Sequence, residues 1–582
     1  MLDQELEITV GESSSSSGLV STFPVSSTTT RKENPFDSLP PVTKQVLLKD
    51  VDPERFQSIM EKTKVGLFPL LDDIRDMRTS LKIVRNDLEA LNQPFPYVEK
   101  HENNMAFFNY NFMTWFTFGD LSKKKQEDEV SQIRRAAYLF ARECRGICYD
   151  LKTGKIASRG LQKFFNVGEK PETEIENIDF SKDHIIVDKM VCMIVVFSHV
   201  LTQKLQDGTM VCAILVKDEK LNDENKRVVR FRTKMGWITD PSKYTEEFVY
   251  GTNDESVFPI FDITNDEYRL TESQAQAMAN GHKGYVEFST FWIKKGYSPI
   301  FEFVSPKNQI VLLYEKPSLV LLALRHNYDG HYLSYEETKR SCEEFGISFT
   351  EPLLQMSNET SLEKVQNFIK EQIGVEGYVV RFNDGTMYKI KSMWYLELHS
   401  CKTSNKKITD TDIWNAVLDN TIDDIQSNLQ TKETKQELEE FVSNFWNAIT
   451  ILTQKVKEVG SELKKKYPNR KEYFSEGCVP LQKTNKVFSE FVSMYYNVKE
   501  EKLQDEIIAT IIKRLKPTVG NKKKMKNDVL VSIKESIEQV TNIDLTIFRS
   551  KYLEEKKRYD ENLRLRREQK QASQPQIYDD DE

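Results

Sequence analysis

Glu376-Gly377-Tyr378-Val379-Val380-Arg381-Phe382-Asn383-Asp384-Gly385-Thr386-Met387-Tyr388-Lys389-Ile390-Lys391 reads as two β-prone apolar runs joined by Asn-Asp-Gly. Asp-Gly between such runs is a strong hairpin signal, because the turn needs backbone angles that glycine adopts at little cost. Period-two spacing puts Lys389 and Lys391 on one face of the second strand, and Glu376 opens the first. Two ammonium groups and a carboxylate turned to one site suit a nucleotide phosphate together with a ribose or a metal ion. A solvated strand face with a cross-strand ion pair accounts for the same residues, and from them alone both readings stand.

Outward from this hairpin, similar runs recur at Ile185–Val187, Met190–Phe197, Val211–Val216, Val228–Phe231, Ile300–Val304, Ile310–Tyr314 and Leu319–Leu324. Many strands with interspersed helices over 101–400 predict an antiparallel α+β domain. Before it, residues 39–100 read as a helical N-terminal extension. Ile59, Leu67, Leu71, Ile74 and Met77 recur at helix-like spacing, and Pro94 and Pro96 end the stretch. Residues 1–38 are serine-rich, bury too little to offset their ordering entropy, and read as a disordered leader. Beyond 400 the pattern turns helical, over Asp412–Gln430, Lys432–Val459, Lys486–Val498, Glu501–Leu515 and Asp528–Thr541, with a charged stretch to Gln571. Residues 401–572 are expected as an all-helical C-terminal domain, and 573–582 as an acidic tail.

Composition narrows the function classes. The chain has 582 residues, 39% hydrophobic and 30% charged, with a net charge of −8. No global basic field draws in nucleic acid, so an RNA site must be a local patch. The 7 cysteines are scattered and odd in number, which fits a reduced compartment better than a disulfide scaffold. No run approaches a membrane span, so a cytoplasmic or nuclear protein without membrane contact is expected. Protein partners are left open.

Three further groups carry potential chemistry. Lys189 lies in Ile185-Ile186-Val187-Asp188-Lys189-Met190-Val191-Cys192-Met193-Ile194, one lysine in a strand-like apolar run. Burial would lower its pKa and sharpen the amine as a nucleophile; an outward-facing strand lysine is the simpler reading of this residue alone. Glu302, in Phe301-Glu302-Phe303, needs a partner such as a ribose hydroxyl or a lysine. Glu143-Cys144-Arg145-Gly146, Ala157-Ser158-Arg159-Gly160 and Gln162-Lys163-Phe164-Phe165-Asn166 set cations beside aromatics, which suits phosphate binding and base stacking, or core rings with surface cations.

In this order and spacing, these pieces resemble the bacteriophage RNA ligase 1 family of covalent nucleotidyltransferases, from about Phe107 to Asp424. The resemblance covers Glu143–Gly146, Ile156–Arg159, Lys163–Asn166, Phe301–Pro306, Glu376–Tyr378 and Lys389-Ile390-Lys391-Ser392 with Trp394-Tyr395. It implies an ATP-grasp-like adenylation domain and a three-step reaction. A lysine takes AMP from ATP, AMP passes to an RNA 5′-phosphate, and a 3′-hydroxyl displaces it, with Mg2+ or Mn2+ shielding phosphate charge. RNA with 5′-phosphate and 3′-hydroxyl ends is the implied partner, with RNA or tRNA repair as the setting.

By position the resemblance implies Lys189 as the adenylated lysine. It implies Arg145 and Lys163 for orienting phosphate and ribose, and Phe165 as the aromatic of the nucleotide pocket. Lys234 matches a triphosphate contact, Glu302 the ribose carboxylate, and Glu376 a carboxylate near the catalytic metal. Lys389 and Lys391 match the pair at the α-phosphate, and Tyr110 and Tyr395 positions beside the site. Asp423 and Asp424 resemble an acidic pair with a second metal. The family pattern after the lysine is Lys-x-Asp-Gly; here it is Lys189-Met190-Val191-Cys192. The glycine admits close backbone approach that Cys192, with its Cβ, opposes. The retained Lys189, Glu302, Glu376, Lys389 and Lys391 favour a working or partly working ligase. The alternative is an impaired ligase-fold protein that binds RNA or nucleotide as a scaffold.

Overall fold

The computed structural model describes residues 42–64, 66–121, 128–188, 208–218, 221–307, 316–350, 361–372, 376–393, 410–426, 432–515 and 524–546. Lys189, the Met190–Phe197 and Ile310–Tyr314 runs, Tyr395, the serine-rich leader and the charged stretch and acidic tail beyond 546 lie outside them.

The hairpin forms where Asn383-Asp384-Gly385 places it. Strands β13 (Gly377–Phe382) and β14 (Met387–Lys391) pair antiparallel, with Gly377 opposite Lys391 and Val379 opposite Lys389. Gly385 sits at φ +92°, a turn conformation that a Cβ would strain. On the other edge of β13 runs β6 (His184–Asp188), Asp188 opposite Tyr378. β5 (Phe165–Asn166) adds to β14 in parallel, completing a sheet of order β5-β14-β13-β6. One face is closed by the amphipathic helix α9 (Leu362–Lys370), whose Leu362, Val365 and Ile369 pack on Tyr378, Val380 and Ile390. The alternation of the strand therefore turns Met387 and Lys389 to the other face.

That face meets a second sheet, of order β12-β11-β10-β7-β8-β9. Its strands are β7 (Thr209–Lys217), β8 (Lys226–Arg232), β9 (Ile260–Asp262), β10 (Tyr297–Val304), β11 (Ser318–His326) and β12 (Ser348–Phe349). The odd-face residues Val211, Phe231, Phe301 and Phe303 pack under helices α5 (Asp240–Tyr250), α7 (Lys283–Lys294) and α8 (Tyr335–Phe345); α6 (Glu272–Ala277) lies between α5 and α7 in sequence. Cys212, Ile300 and Ala323 face the other way, onto Leu161, Phe164, Val379 and Met387 of the hairpin side. The two sheets thus share an apolar layer, and polar residues at its margin face each other. All pairings are antiparallel except β5 with β14 and β12 with β11, two-residue additions at sheet edges.

A third sheet is a meander, β1 (Tyr97–Glu102), β2 (Met105–Tyr110), β3 (Ile147–Asp150) and β4 (Ile156–Ser158). β1 hides from a pattern reading because Glu99, Lys100 and His101 are exposed and only its ends are buried. β4 is only three residues long. Helices α1 (Lys44–Leu47), α2 (Pro53–Lys62), α3 (Ile74–Ala90) and α4 (Glu129–Ala141) cover this sheet. Met77, Val84 and Leu88 share one core with Phe108, Phe140, Ile147 and Tyr149. The helices expected as an N-terminal extension are therefore built into the core beside the strands, and the first strand begins at Tyr97.

Helices from Asp410 onward form a further core around Trp414, Phe445, Trp446, Ile449, Phe491, Ile507 and Ile533. The 35-residue helix Lys432–Lys466 runs through it. Phe112, from the loop after β2, stacks on Trp446 with centroids 4.4 Å apart and so joins this core to the strands. No helix among the described residues is long and apolar enough to cross a membrane. The cysteines among them (Cys144, Cys148, Cys212, Cys342 and Cys478) are buried free thiols.

The least dispensable polar contact inside this fold is an Arg–Glu–Arg cluster. Glu143, just after α4, receives Arg159 Nη2 at 2.7 Å and Arg325 Nη1 at 2.8 Å. All three side chains are withdrawn from solvent, so each remaining donor needs an acceptor. Arg159 donates to Pro69 O, Asn327 O and Tyr328 O; Arg325 donates to Gly330 O and Gly160 O. Burial works to raise the Glu143 pKa, but the two guanidinium groups outweigh it and hold the carboxyl below its usual range. Removing one charge from a buried set costs about 3–5 kcal/mol, because the others stay behind uncompensated. We predict that Glu143→Gln loses stability of this size in denaturant melts; a loss under about 1 kcal/mol would contradict it. Because the folded pKa is depressed, the wild-type advantage is complete above the unfolded carboxyl pKa. It declines as pH falls toward the lower, folded value.

Candidate active site

The site is built on the face of β14 that α9 leaves uncovered. Lys389 is 8% exposed, and its Nζ lies 5.2 Å from the centroid of Phe164. Arg145 Cζ lies 5.7 Å from the same ring. Burial lowers the Lys389 pKa, and Lys163 lowers it further; Asp423 and Glu169 oppose, Arg145 adds to the fall, and the result is about 8. Arg145, two residues after Glu143, is held in place by the chain that the ion cluster anchors. Its Nη1 is buried without a hydrogen-bond partner, an arrangement that an anionic ligand would relieve. Gly146 follows at φ +84°, and a Cβ there would lie 2.5 Å from Lys234 Cα, so glycine permits the close approach of Lys234.

The remaining residues form a contiguous rim. Lys163 Nζ stands 5.1 Å from the Phe165 centroid and 3.9 Å from Glu169 Oε1. Phe165 meets Phe118 edge-on at 5.8 Å, Phe118 meets Tyr110 at 5.1 Å, and Lys234 Nζ lies 5.5 Å over Tyr110. Lys391 Nζ is 3.9 Å from Glu376 Oε1. Glu302 pairs across with Met210 on β7, on the sheet face shared by Ile300 and Cys212 and turned toward Phe164. Asp423, on the short helix Ile422–Gln426, reaches the electrostatic field of Lys389.

Of the residues singled out from sequence, the structure gathers Arg145, Lys163, Lys389 and Asp423 into one charged cluster, with Glu376 and Lys391 further along the same hairpin. Tyr110, Phe165 and Lys234 belong to the adjoining rim. The ring shared by Lys389 and Arg145 is Phe164. Phe165, the first residue of β5, packs toward Phe118 and the helical core. Lys189 and Tyr395 lie outside the described residues, as does the side chain of Asp424; β6 ends at Asp188, immediately before Lys189.

Sequence reasoning missed Glu169, Lys170 and Glu439. Glu169 accepts from Asn166 N at 2.7 Å and partners Lys163. Lys170 Nζ donates to Trp115 O and sits 3.9 Å over the Trp115 ring. Glu439, from the long C-terminal helix, faces Lys170; burial pushes its pKa up to about 8 against the pull of Lys170 and Lys435. Lys435 of the same helix donates to Gly168 O at 2.6 Å. The Gly168-Glu169-Lys170 turn adjoins the quoted motif and was within reach of a sequence reading. Glu439 was not, because only tertiary packing brings that helix to the turn.

For a metal, the cluster offers carboxylates and no cage. Among the described residues, the one group of three metal-type ligands drawn together is elsewhere, at His326, Asp329 and His331. Glu376 and Asp423 suit Mg2+, which keeps several waters and binds through one or two carboxylates plus substrate phosphates.

Residues 143–395 match a family model described as RNA ligase. Over this segment the chain is similar to the RNA ligase family. The match spans Arg145, Lys163, Lys234, Glu302, Glu376, Lys389 and Lys391, and it ends at Tyr395. A protein of Thermovibrio ammonificans named "Putative RNA ligase" is 27% identical over 362 residues, which are 61% of this chain and 78% of that protein. An archaeal ATP-dependent RNA ligase structure aligns with 70% of this chain and 82% of its own, at 11% identity and TM-score 0.30. A Naegleria gruberi RNA ligase solved with PPi aligns with 41% of this chain and 57% of its own, at 13% identity and TM-score 0.25. At these scores the structural likenesses assign no role to any residue.

A lysine held at a pKa near 8 by burial and by other cations leaves a signature in stability. Below that pKa the folded protein bears the full cost of the buried charge. Between about 8 and the unfolded value near 10.5, the folded form sheds the proton while the unfolded form keeps it, so stability rises with pH. Lys389→Met should therefore stabilise the nucleotide-free protein near pH 7, by about 1–3 kcal/mol. The difference from wild type should shrink as pH rises toward 10. Thermal melts across this range test it, and a destabilised Lys389→Met at pH 7 would show that the charge is fully compensated.

Proposed function

We propose that this chain is an ATP-dependent RNA ligase that joins 5′-phosphate and 3′-hydroxyl RNA ends through a lysyl-AMP on Lys189. The observation that carries the reading is the convergence of Lys389 and Arg145 on Phe164, with Lys163 beside Lys389. Lys389 and Lys163 are buried and Arg145 is half-buried, and the Arg145 Nη1 nitrogen has no acceptor. Such a site is incomplete without an anion, and a nucleotide phosphate supplies the charge while Phe164 supplies an apolar surface. The family match over the same residues supports a ligase as the anion's user.

In this reading, the neutral amine of Lys189 attacks the α-phosphorus of ATP, an N–P bond forms, and the P–O bond to pyrophosphate breaks. β6 ends at Asp188, one residue before Lys189, and its Val187 pairs with Val379, which stands opposite Lys389. Lys389 and Arg145 would hold the α-phosphate, Lys234 the outgoing phosphates, and Glu302 and Lys163 the ribose. Glu376 and Asp423 would hold Mg2+ or Mn2+, whose role when bound is to neutralise phosphate charge. AMP would next move to the RNA 5′-phosphate, and the 3′-hydroxyl would displace it. RNA or tRNA repair is the setting that such end chemistry fits.

The Met190-Val191-Cys192 sequence favours a second reading, a nucleotide- or RNA-binding scaffold that no longer completes sealing. One experiment separates the two. The protein is incubated with ATP labelled at the α-phosphate and with Mg2+ or Mn2+, denatured, and examined for covalent label. The ligase reading expects label on wild type, none on Lys189→Ala, and a loss of at least 100-fold in Lys389→Ala, or about 2.7 kcal/mol of transition-state stabilisation. Sealing of a 5′-phosphorylated RNA should follow. An unlabelled wild type that still binds ATP establishes the scaffold reading instead.

A further inference from the structure

A second group of chemically capable side chains lies at the turn that follows β11, outside the cluster at Lys389. His326 Nδ1 is 2.9 Å from Asp329 Oδ1, and His331 Nδ1 is 2.6 Å from the same oxygen. One ligand-type atom from each residue lies within 4.8 Å of the others. The unused nitrogen of His331, Nε2, is 2.9 Å from Tyr297 Oη. A turn-stabilising aspartate alone would need only the backbone contact it also makes, from His331 N at 3.1 Å. Two imidazoles converging on one carboxylate, with the far side of one oriented by a tyrosine, is the arrangement of a ligand set with an outer partner.

We infer that His326, Asp329 and His331 bind one divalent transition-metal ion of the zinc class. Imidazole nitrogen with one carboxylate suits Zn2+ far better than Mg2+, so this site differs in kind from the carboxylates of the nucleotide cluster. Metal–ligand bonds of about 2.0–2.2 Å in a tetrahedron place ligand atoms about 3.3 Å apart. The present 2.6 and 2.9 Å separations must open by about 0.7 and 0.4 Å, which side chains on a half-exposed turn allow. Solvent supplies the fourth position. Each imidazole binds the metal in its neutral form through Nδ1 and keeps its proton on Nε2, so a protonated histidine releases its extra proton to solvent on binding.

The consequence for the molecule follows from the other side of the turn. Asn327 O and Tyr328 O accept from Arg159, Gly330 O accepts from Arg325, and Tyr328 O accepts Leu71 N at 2.7 Å. An ion clasping His326, Asp329 and His331 outside the turn fixes the carbonyls that complete the Arg–Glu–Arg cluster inside it. The site is a fastener for the core.

The test uses the full chain, stripped of metal by a chelator and titrated with ZnCl2 in a calorimeter. The inference expects one saturable site with proton release, and a melting temperature raised by about 2–4 °C at saturation. Cobalt(II) in place of zinc should give the strong visible absorption of tetrahedral coordination. The paired substitutions His326→Asn and His331→Asn should weaken binding at least tenfold while the metal-free far-UV spectrum stays that of wild type. Should that variant misfold, the wild type decides: zinc must protect His326 and His331, read by peptide mass spectrometry, from acylation by diethylpyrocarbonate. The absence of a saturable site, undiminished binding in a folded double variant, or unprotected histidines would each overturn the inference.

Discussion

Glu143, Arg159 and Arg325 tie together parts of the chain that are far apart in sequence. Their hydrogen bonds draw in Pro69 from the N-terminal helices, Gly160 from the segment leading to the site, and Asn327, Tyr328 and Gly330 from the turn after β11. An apolar contact at such a crossing would tolerate sliding. A buried carboxylate between two guanidinium groups does not, because each partner left unmatched costs several kcal/mol. The cluster sacrifices some attainable stability for a fixed geometry, and the site inherits it. Arg145 is two residues from Glu143, and the chain from Arg159 through Gly160 leads directly to Lys163 and Phe164.

The site itself runs on the opposite principle. In the cluster, each nitrogen of both arginines is directed at an acceptor, and the Glu143 carboxylate lies between the two guanidinium groups. Around Lys389, cations exceed anions and Arg145 Nη1 is buried without an acceptor. A protein tolerates that imbalance only if surrounding structure enforces it. The hydrogen-bonded Arg–Glu–Arg set supplies enforcement a few residues from Arg145, and α9 and the apolar layer between the sheets hold β14 from both sides.

Much of this was legible in sequence where the signal is local. The hairpin, its turn glycine, the strands around Val211, Phe301 and Leu321, and the shared face of Lys389 and Lys391 follow from alternation over a few residues. β1 escaped because its middle is charged and exposed, and β4 because three residues carry no period. The helices before residue 97 looked like an appendage, since amphipathicity shows that a helix has a partner and not which partner it has. The same limit hid the exchange between Phe165 and Phe164. Phe165 packs on Phe118 and the helical core while Phe164 meets Lys389 and Arg145, and tertiary packing decides which ring faces the site.

Charge shows most clearly how far local reading goes. A net charge of −8 argues against a general attraction for RNA. The structure concentrates positive charge instead where water is excluded and each interaction is stronger. Its counterweights, Glu169, Asp423 and Glu439, come from three different segments. Glu439 stands against Lys170, and burial raises its pKa while Lys170 and Lys435 pull it down. Its helix also holds Gly168 O through Lys435, at the turn that carries Lys163 and Phe165. The C-terminal helices therefore supply charge to the site as well as packing beneath it. Removing them would leave the turn without the carboxylate and the ammonium that position it, so the strands alone do not constitute the complete site.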